Sequence, residues 1–167
     1  WDVAVYQLDV ENLIAWSLES GLYSPRNVDN ARIRGIELSS GFEIDQWQAK
    51  AALTLQDPRD RETDNRLARR TAKSLRLDLD RTLGDWSLGG TLLAQGYRYD
   101  KLDNEERLPG FATLDLRAGW QFAEDWSTRL TVENVLDKEY STARYDDDHK
   151  YIAAGRTALL TVRYDIR

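Results

Sequence analysis

The sequence predicts an all-β protein, an antiparallel transmembrane β-barrel, and three observations lead to that fold class. Long segments alternate apolar and polar side chains with a period of two, as strands with two different faces do. The connections between these segments alternate between short and long. Trp47, Trp86 and Trp126 stand about forty residues apart, each directly after an acidic or turn-forming pair. Indole rings at one level beside tight turns are typical of a membrane–water interface, because the ring is apolar and its N–H is polar.

The strands follow from the alternation, which is clearest over residues 47–56, 75–83, 113–122 and 158–166. A helix with these sequences would spread its charges around the whole circumference. In chain order, the predicted strands are residues 1–9, 12–18, 31–44, 47–57, 70–83, 86–99, 110–122, 126–135 and 155–166, about nine in all. Several match the roughly 9–11 residues that a tilted strand needs to cross a bilayer.

The connections predict which side of a membrane each loop occupies. Short turns are predicted at Glu11-Asn12, Asp45-Gln46, Gly84-Asp85 and 123–125, and long polar loops at about 19–30, 58–69, 100–109 and 136–154. All three prolines lie in the predicted long loops, where we expect them to remove no ladder hydrogen bond. Outer-membrane barrels have short periplasmic turns and long extracellular loops, so the pattern predicts the outer membrane of a Gram-negative bacterium.

Composition excludes several classes of function. The net charge of −6 argues against nucleic acid as a partner, and no segment approaches the roughly 18 apolar residues of a membrane helix. There is no cysteine and His149 is the only histidine, so thiol catalysis, a histidine-based triad and a zinc site are not expected. We therefore expect no enzyme.

Two other architectures fit parts of this pattern. A β-propeller also repeats near forty residues, but each of its blades uses four short strands, and here each period holds two long ones. A self-contained small barrel with a structural or adhesive role requires that the first and last strands pair with each other. Both remain alternatives at this point.

The polar face of the strands carries many charges, among them Asp78, Asp80 and Arg117. Paired carboxylates are able to act in acid–base catalysis, but the more ordinary interpretation is a water-filled lumen in which they pair with nearby arginines. On the long-loop side, Tyr97, Arg98, Tyr99 and Tyr145 either face a ligand or form an outer aromatic girdle.

Two loop segments suggest ion binding. Arg59, Arg61 and Arg66 could pair with lipopolysaccharide phosphates at the membrane edge, because guanidinium groups bind phosphate in a bidentate geometry. The alternative is a solvated loop balanced by its own carboxylates. Asp146, Asp147 and Asp148 form a carboxylate run that could hold Ca²⁺, although the spacing of a calcium-binding helix–loop–helix motif is missing. Otherwise no cofactor or metal is expected.

Three segments resemble TonB-dependent outer-membrane transporters: residues 30–37, residues 132–140 (VENVLDKEY) and residues 155–166. Residues 132–140 are similar to the penultimate-strand motif Asn-Leu-Phe-Asp-Lys-x-Tyr of that family, and residues 155–166 to its last strand. Residues 9–14, 67–73 and 97–101 most resemble the members that take up vitamin B12 (cobalamin), while ferric-siderophore receptors share much of the region. The chain departs from the family at its end, where Arg167 replaces the usual aromatic residue.

The resemblance implies that residues 1–167 are the C-terminal part of a barrel of about 22 strands that encloses an N-terminal plug. The plug and the first strands of that barrel are not in this sequence. The implied function is import of cobalamin, or a related large nutrient, with energy delivered by TonB through the missing plug region. The implied partners are TonB, the cobalamin or siderophore ligand, lipopolysaccharide and membrane lipid.

Overall fold

The structure, a computed structural model, contains one large antiparallel sheet and two small hairpins. It describes residues 1–19, 22–146 and 148–166, and for residues 15–19, 22–24 and 26–29 the backbone alone. The strands are β1 Asp2–Glu19, β2 Leu22–Ile44, β3 Trp47–Asp60, β4 Lys73–Leu83, β5 Trp86–Gln95, β6 Arg98–Tyr99, β7 Arg107–Leu108, β8 Phe111–Ala123, β9 Trp126–Glu133, β10 Ser141–Arg144, β11 Lys150–Ile152 and β12 Thr157–Tyr164. Among the described residues, no helix has the length and apolar character that membrane crossing by a helix requires.

Eight strands form the large sheet in the order β1-β2-β3-β4-β5-β8-β9-β12, and every neighbouring pair is antiparallel. The hairpins β6–β7 and β10–β11 are inserted into the connections β5–β8 and β9–β12. The predicted all-β antiparallel barrel wall is confirmed. In the described part of the chain β1 and β12 lie at opposite edges of the sheet, so the pairing that a self-contained small barrel requires is not made.

Three of the predicted short turns lie together at one end of the sheet. They are Asp45-Gln46, Gly84-Asp85 and Glu124-Asp125. Asp45 has φ 54° and Gly84 has φ 60°, a left-handed conformation that glycine adopts freely and aspartate tolerates. The connections that contain β6–β7 and β10–β11, together with residues 61–72, lie at the opposite end, as predicted. These predicted loops nevertheless contain strands, because β3 continues to Asp60 and because β7, β10 and β11 lie within 100–109 and 136–154. Pro25 and Pro58, predicted to lie in loops, lie in β2 and β3.

The predicted turn at Glu11-Asn12 is wrong, and so is the predicted loop at residues 19–30. β1 continues through both residues, with Glu11 opposite Asn30 and Leu13 opposite Val28, and β2 already begins at Leu22. Asn12 adopts φ 56° within the strand. Because asparagine tolerates this conformation as a single residue, the backbone kinks locally and does not reverse. Two predicted strands are thus one, and the sheet has eight strands, not nine.

The apolar face of the sheet is left uncovered. Leu77, Leu116 and Leu160 are 39%, 46% and 66% exposed, whereas a compact soluble protein would bury them. Residues directly opposite each other in the register lie on the same side of the sheet. Leu77 is opposite Leu92, and Leu92 is opposite Leu114. An apolar surface of this extent, alternating with a polar one, is what a barrel wall presents to lipid.

The buried apolar cluster lies on the polar face, near the long loops. Ala31, Ile33 and Leu67 are 0%, 8% and 2% exposed, and Tyr6, Val10, Leu13 and Leu102 pack against them. Leu67 and Leu102 belong to the long connections, so these connections fold inward over the sheet. Beside the cluster, the ring of Tyr6 covers Gly35, where a Cβ would lie 2.5 Å from the tyrosine ring.

Candidate functional site

The long-loop end of the sheet is the candidate functional site, because three separate segments meet there. They are residues 61–72, the hairpin β6–β7 and the hairpin β10–β11. The Asn104 side chain accepts a hydrogen bond from the backbone N–H of Arg66 (2.7 Å) and donates to the Arg66 carbonyl (2.9 Å). The Asn65 amide donates to the carbonyl of Leu102 at 2.9 Å. Together these hydrogen bonds attach residues 61–72 to the connection between β6 and β7.

Asp100 connects all three segments. Its side chain is completely buried, and Oδ1 accepts hydrogen bonds from Arg69 Nε (3.0 Å) and from the backbone N–H of Arg144 (2.9 Å). The Arg144 guanidinium in turn lies 3.3 Å from the carboxylate of Glu106 in the β6–β7 hairpin. Burying a carboxylate is costly unless hydrogen bonds and a cation compensate it. We call Asp100, Arg69 and Arg144 the loop clasp. No feature of the sequence indicated this cluster.

Two pairs of tyrosine rings lie in the hairpins. Tyr97 and Tyr99 pack edge to face with centroids 5.8 Å apart, and Tyr145 and Tyr151 do so at 5.9 Å. Tyr145 and Tyr151 are 64% and 55% exposed. Exposed aromatic rings on a braced loop cluster are well suited to contact a large planar ligand.

Tyr97 is also flanked by cations. The guanidinium carbons of Arg66 and Arg107 lie 5.4 Å and 4.4 Å from its ring centroid, and Arg66 Nη1 donates to its hydroxyl at 2.9 Å. Arg98, by contrast, is 7% exposed and its guanidinium lies 5.8 Å from the centroid of Phe111. Burial lowers the pKa of the Arg98 guanidinium. Contact of Tyr97, Arg98, Tyr99 and Tyr145 with a ligand stays a prediction.

The three tryptophans that the sequence singled out lie beside the short turns, on the apolar face. Trp47, Trp86 and Trp126 are 38%, 50% and 42% exposed. The sequence did not show that Trp86 and Trp126 belong to one continuous row of rings, because that row depends on the strand register. The row comprises Trp86, Trp120, Phe122, Trp126 and Tyr164, and the centroids of neighbouring rings are 4.7–6.3 Å apart. Trp47 lies under Arg81 at 4.9 Å. Their role as a membrane-interface girdle stays a prediction.

The charges of the polar face pair with each other, as expected for a lumen wall. Arg76 donates two hydrogen bonds of 2.8 Å to Asp78, and Thr91 donates to the same carboxylate at 2.6 Å. Arg117 donates to Asp80 and, at 2.8 Å, to Thr91. The network therefore crosses β4, β5 and β8, and both carboxylates are neutralised by arginine, which is a poor arrangement for acid–base catalysis.

The segment after β9 that carries the family resemblance is a turn-forming motif. Asn134 is 5% exposed, and its amide accepts from the Lys138 N–H (2.9 Å) and donates to the Lys138 carbonyl (3.0 Å). Asp137 accepts from the N–H of Arg156 at 2.8 Å, which fixes the entry into β12. Tyr140 stacks on Phe111 with centroids 3.8 Å apart. These residues thus position the β10–β11 hairpin over the sheet.

The three arginines predicted to face lipopolysaccharide lie near the loop end of β3. Arg59 is held by Asp57 at 2.9 Å and by Asp64 at 3.4 Å. Arg61 lies 3.9 Å from Asp9, and Arg66 binds the Tyr97 hydroxyl. The alternative of a loop balanced by its own carboxylates therefore describes Arg59, whereas the carboxylate near Arg61 belongs to β1. Lipopolysaccharide contact stays a prediction.

The predicted calcium segment is partly described. Asp146 Oδ1 accepts hydrogen bonds from the backbone N–H of Asp148 (3.0 Å) and of His149 (2.7 Å), and His149 Nδ1 lies 2.7 Å away. Asp147 lies outside the described residues. Calcium binding at Asp146, Asp147 and Asp148 stays a prediction. The Asp146 carboxylate already accepts hydrogen bonds within its own loop.

The Asp146 turn is expected to weaken in acid. The hydrogen bond from the His149 side chain holds the pKa of the Asp146 carboxyl below its usual value of 3.8. Its stabilising contribution is therefore complete above about pH 4 and is lost as the pH falls through the lowered pKa. Hydrogen exchange at the His149 amide, measured between pH 5 and pH 2, should show protection decreasing beyond the intrinsic acid effect. The variant Asp146→Asn should remove this pH dependence, and an unchanged profile would contradict the assignment.

Comparisons with known proteins agree with this architecture. A family model described as TonB dependent receptor-like, beta-barrel, matches residues 1–135. The vitamin B12 transporter BtuB of Vibrio vulnificus is 30% identical over 166 residues, which cover 98% of this chain and 27% of that protein. The vitamin B12 transporter BtuB of Photobacterium profundum is 30% identical over 145 residues, covering 84% and 24%. This chain therefore spans about a quarter of the length of these relatives.

Among solved structures, the ferric yersiniabactin uptake receptor FyuA from Yersinia pestis superposes with a TM-score of 0.84 at 19% sequence identity. The superposition covers 99% of this chain and 27% of that one. At this identity the similarity concerns the fold alone. The eight-stranded sheet therefore has the fold of part of that receptor.

Proposed function

Since the chain belongs to the TonB-dependent receptor β-barrel family, we propose that it forms the C-terminal barrel segment of a receptor that imports cobalamin across the outer membrane. The sheet supplies part of the wall, and the braced loops supply part of the ligand site. TonB would provide energy through a plug region that this sequence does not contain. The family comprises transporters, and the arginine-paired carboxylates of the lumen face offer no catalytic set.

The observation that carries the proposal is the 30% identity to two vitamin B12 transporters, in one case over 98% of the chain. The two exposed tyrosines of β10–β11 support it, because cobalamin presents a large, mostly planar ring system that aromatic side chains can cover. The second candidate is a ferric-siderophore receptor of the same family. It is favoured by the fold similarity to the yersiniabactin receptor and by the two guanidinium groups around Tyr97, which would suit an anionic ligand.

Binding of cobalamin to the full-length receptor in detergent, with a ferric siderophore as competitor, separates the two candidates. We expect saturable cobalamin binding that the siderophore does not displace. The variant Tyr145→Ala should weaken cobalamin binding about five- to tenfold, which is the contribution of one aromatic contact. Tyr164→Ala, at the opposite end of the sheet, is the matched control and should bind normally. Preference for the siderophore would overturn the assignment of cobalamin.

A further inference from the structure

The polar face of the sheet has a depression at the end where the short turns lie. It measures about 610 Å³ and lies where β5, β8, β9 and β12 meet. The register places Ser87 opposite Gly119, and Gly119 opposite Arg129. Arg129 is in turn opposite Thr161. A Cβ at Gly119 would collide with the Ser87 hydroxyl, so the packing here requires glycine. We call the cavity that these four residues and Ser127 line the lower depression.

The lower depression contains two arginine side chains that differ in their partners. The Arg163 guanidinium lies 2.6 Å from the Asp165 carboxylate. Arg129 is exposed, and it forms no ion pair with any residue that the structure describes. Ser87 and Thr161, each with a hydroxyl group, line the same cavity. A guanidinium group beside hydroxyl groups is a suitable donor set for a phosphate ester, because charged N–H donors form strong, directional hydrogen bonds to phosphate oxygens.

The strands that form the lower depression carry the candidate site at their other end. The hairpins β6–β7 and β10–β11 are inserted between β5 and β8 and between β9 and β12. Between the two ends, the polar face carries the ion pairs of Arg117 with Asp80 and of Arg76 with Asp78. A ligand that moves from the loops along this wall therefore meets neutralised charges first and the cation of Arg129 at the far end.

We propose that the lower depression is a second ligand subsite, which holds cobalamin at the periplasmic end of the lumen during import. Arg129 donates hydrogen bonds to the phosphodiester of cobalamin, and the Ser87 and Thr161 hydroxyls complete the donor set. The volume lies in the range of about 300–1,000 Å³ that small-molecule sites occupy. The inference rests on the proposed function, and it adds the place where the ligand is held after it leaves the loops.

The test traps the ligand with an introduced cysteine, because this chain contains no cysteine of its own. In the full-length receptor, Ser127→Cys places a thiol in the lower depression, and Gln48→Cys is the matched control. Each residue directly follows a tryptophan after a short turn, and the register places Gln48 on the polar face, opposite Asp80. Cells that produce each variant take up a cobalamin derivative with a thiol-reactive group on a ring side chain, and mass spectrometry measures the labelled fraction of receptor. We expect Ser127→Cys to be labelled about tenfold more than Gln48→Cys, because the bound ligand is held beside its thiol.

The contribution of Arg129 is tested in the Ser127→Cys receptor. Adding Arg129→Gln should lower labelling by the cobalamin derivative about tenfold, which is the contribution of one charge-assisted hydrogen bond. Cobinamide with the same reactive group has the same ring but lacks the phosphodiester, so its labelling should stay within about twofold. Lys50→Gln removes an exposed cation of β3 outside the lower depression and should change the labelling by neither ligand.

Equilibrium binding of cobalamin at the cell surface is measured first for every variant. Absence of binding to the unmodified receptor would overturn the proposed import function, and this inference with it. Normal binding together with equal labelling of Ser127→Cys and Gln48→Cys would overturn the second subsite alone. Labelling that Arg129→Gln leaves unchanged, or lowers equally for cobalamin and cobinamide, would also overturn it, because the phosphodiester would then have no partner in Arg129.

Discussion

The variant Ala51→Lys is expected to destabilise the folded receptor by about 2–4 kcal/mol, whereas Ala52→Lys should change its stability by less than about 1 kcal/mol. The two alanines are neighbours on β3 but face opposite sides of the sheet. Ala51 lies opposite Leu77, and Ala52 lies opposite Arg76. Ala51 is also at the centre of the outer positions between Trp47 and Leu55, so its lysine would enter the middle of the hydrocarbon layer.

Ala52 is the matched control because residue type, strand and depth are nearly the same. A lysine there meets the like charge of Arg76, but in a polar, hydrated environment such repulsion is small. The measurement is urea unfolding of the full-length receptor in lipid vesicles, followed by tryptophan fluorescence. If both variants lose stability equally, the apolar face does not contact lipid, and the assignment of the two faces fails.

The second large effect is expected from the loop clasp. Replacing Asp100 with alanine leaves the Arg69 guanidinium and the Arg144 backbone N–H without their buried acceptor. The loss of a buried, charged acceptor of two hydrogen bonds should cost about 3 kcal/mol. Because Asp100 joins segments that are otherwise separate, the cost should appear as local opening of the loops and should leave the sheet intact.

Hydrogen exchange measured by mass spectrometry distinguishes local opening of the loops from destabilisation of the whole sheet. Peptides that cover residues 97–108 and 141–152 should exchange roughly a hundredfold faster in Asp100→Ala, while peptides from β4 and β5 should not change. Glu105→Ala, an exposed residue of the same hairpin, is the control and should have no effect. Faster exchange throughout the sheet would show that Asp100 serves global stability and is not a clasp of the loops.

Much of the fold was predictable because its signals are local. The period of two over residues 75–83 and 113–122 requires only that neighbouring side chains see different surroundings, and the structure confirms strands at both places. The turns at Asp45-Gln46 and Gly84-Asp85 follow from residues that tolerate a left-handed backbone. The turn predicted at Glu11-Asn12 was wrong, because one left-handed residue bends a strand without reversing it when both sides continue to pair.

The candidate site was predicted less well. The sequence singled out Tyr97, Tyr99 and Tyr145 by residue type, but it did not indicate Asp100, whose partners Arg69 and Arg144 lie far from it in the chain. Arg98 is polar and lies at the end of a predicted strand on the long-loop side, which suggested ligand contact, yet its side chain is buried against Phe111. Loop side chains are positioned by the segments that fold over them. Patterns among neighbouring residues in the sequence do not predict that packing.

The sequence by itself determined the two-sided character of the strands in the large sheet and the end of that sheet at which the short turns lie. Both are consequences of the alternation between neighbouring residues. Only the tertiary structure decided the strand register, and with it the row of rings from Trp86 to Tyr164, since hydrogen-bonded pairing across strands sets which side chains become neighbours. The loop clasp depends instead on how the long connections pack against each other, which joins residues that are distant in sequence.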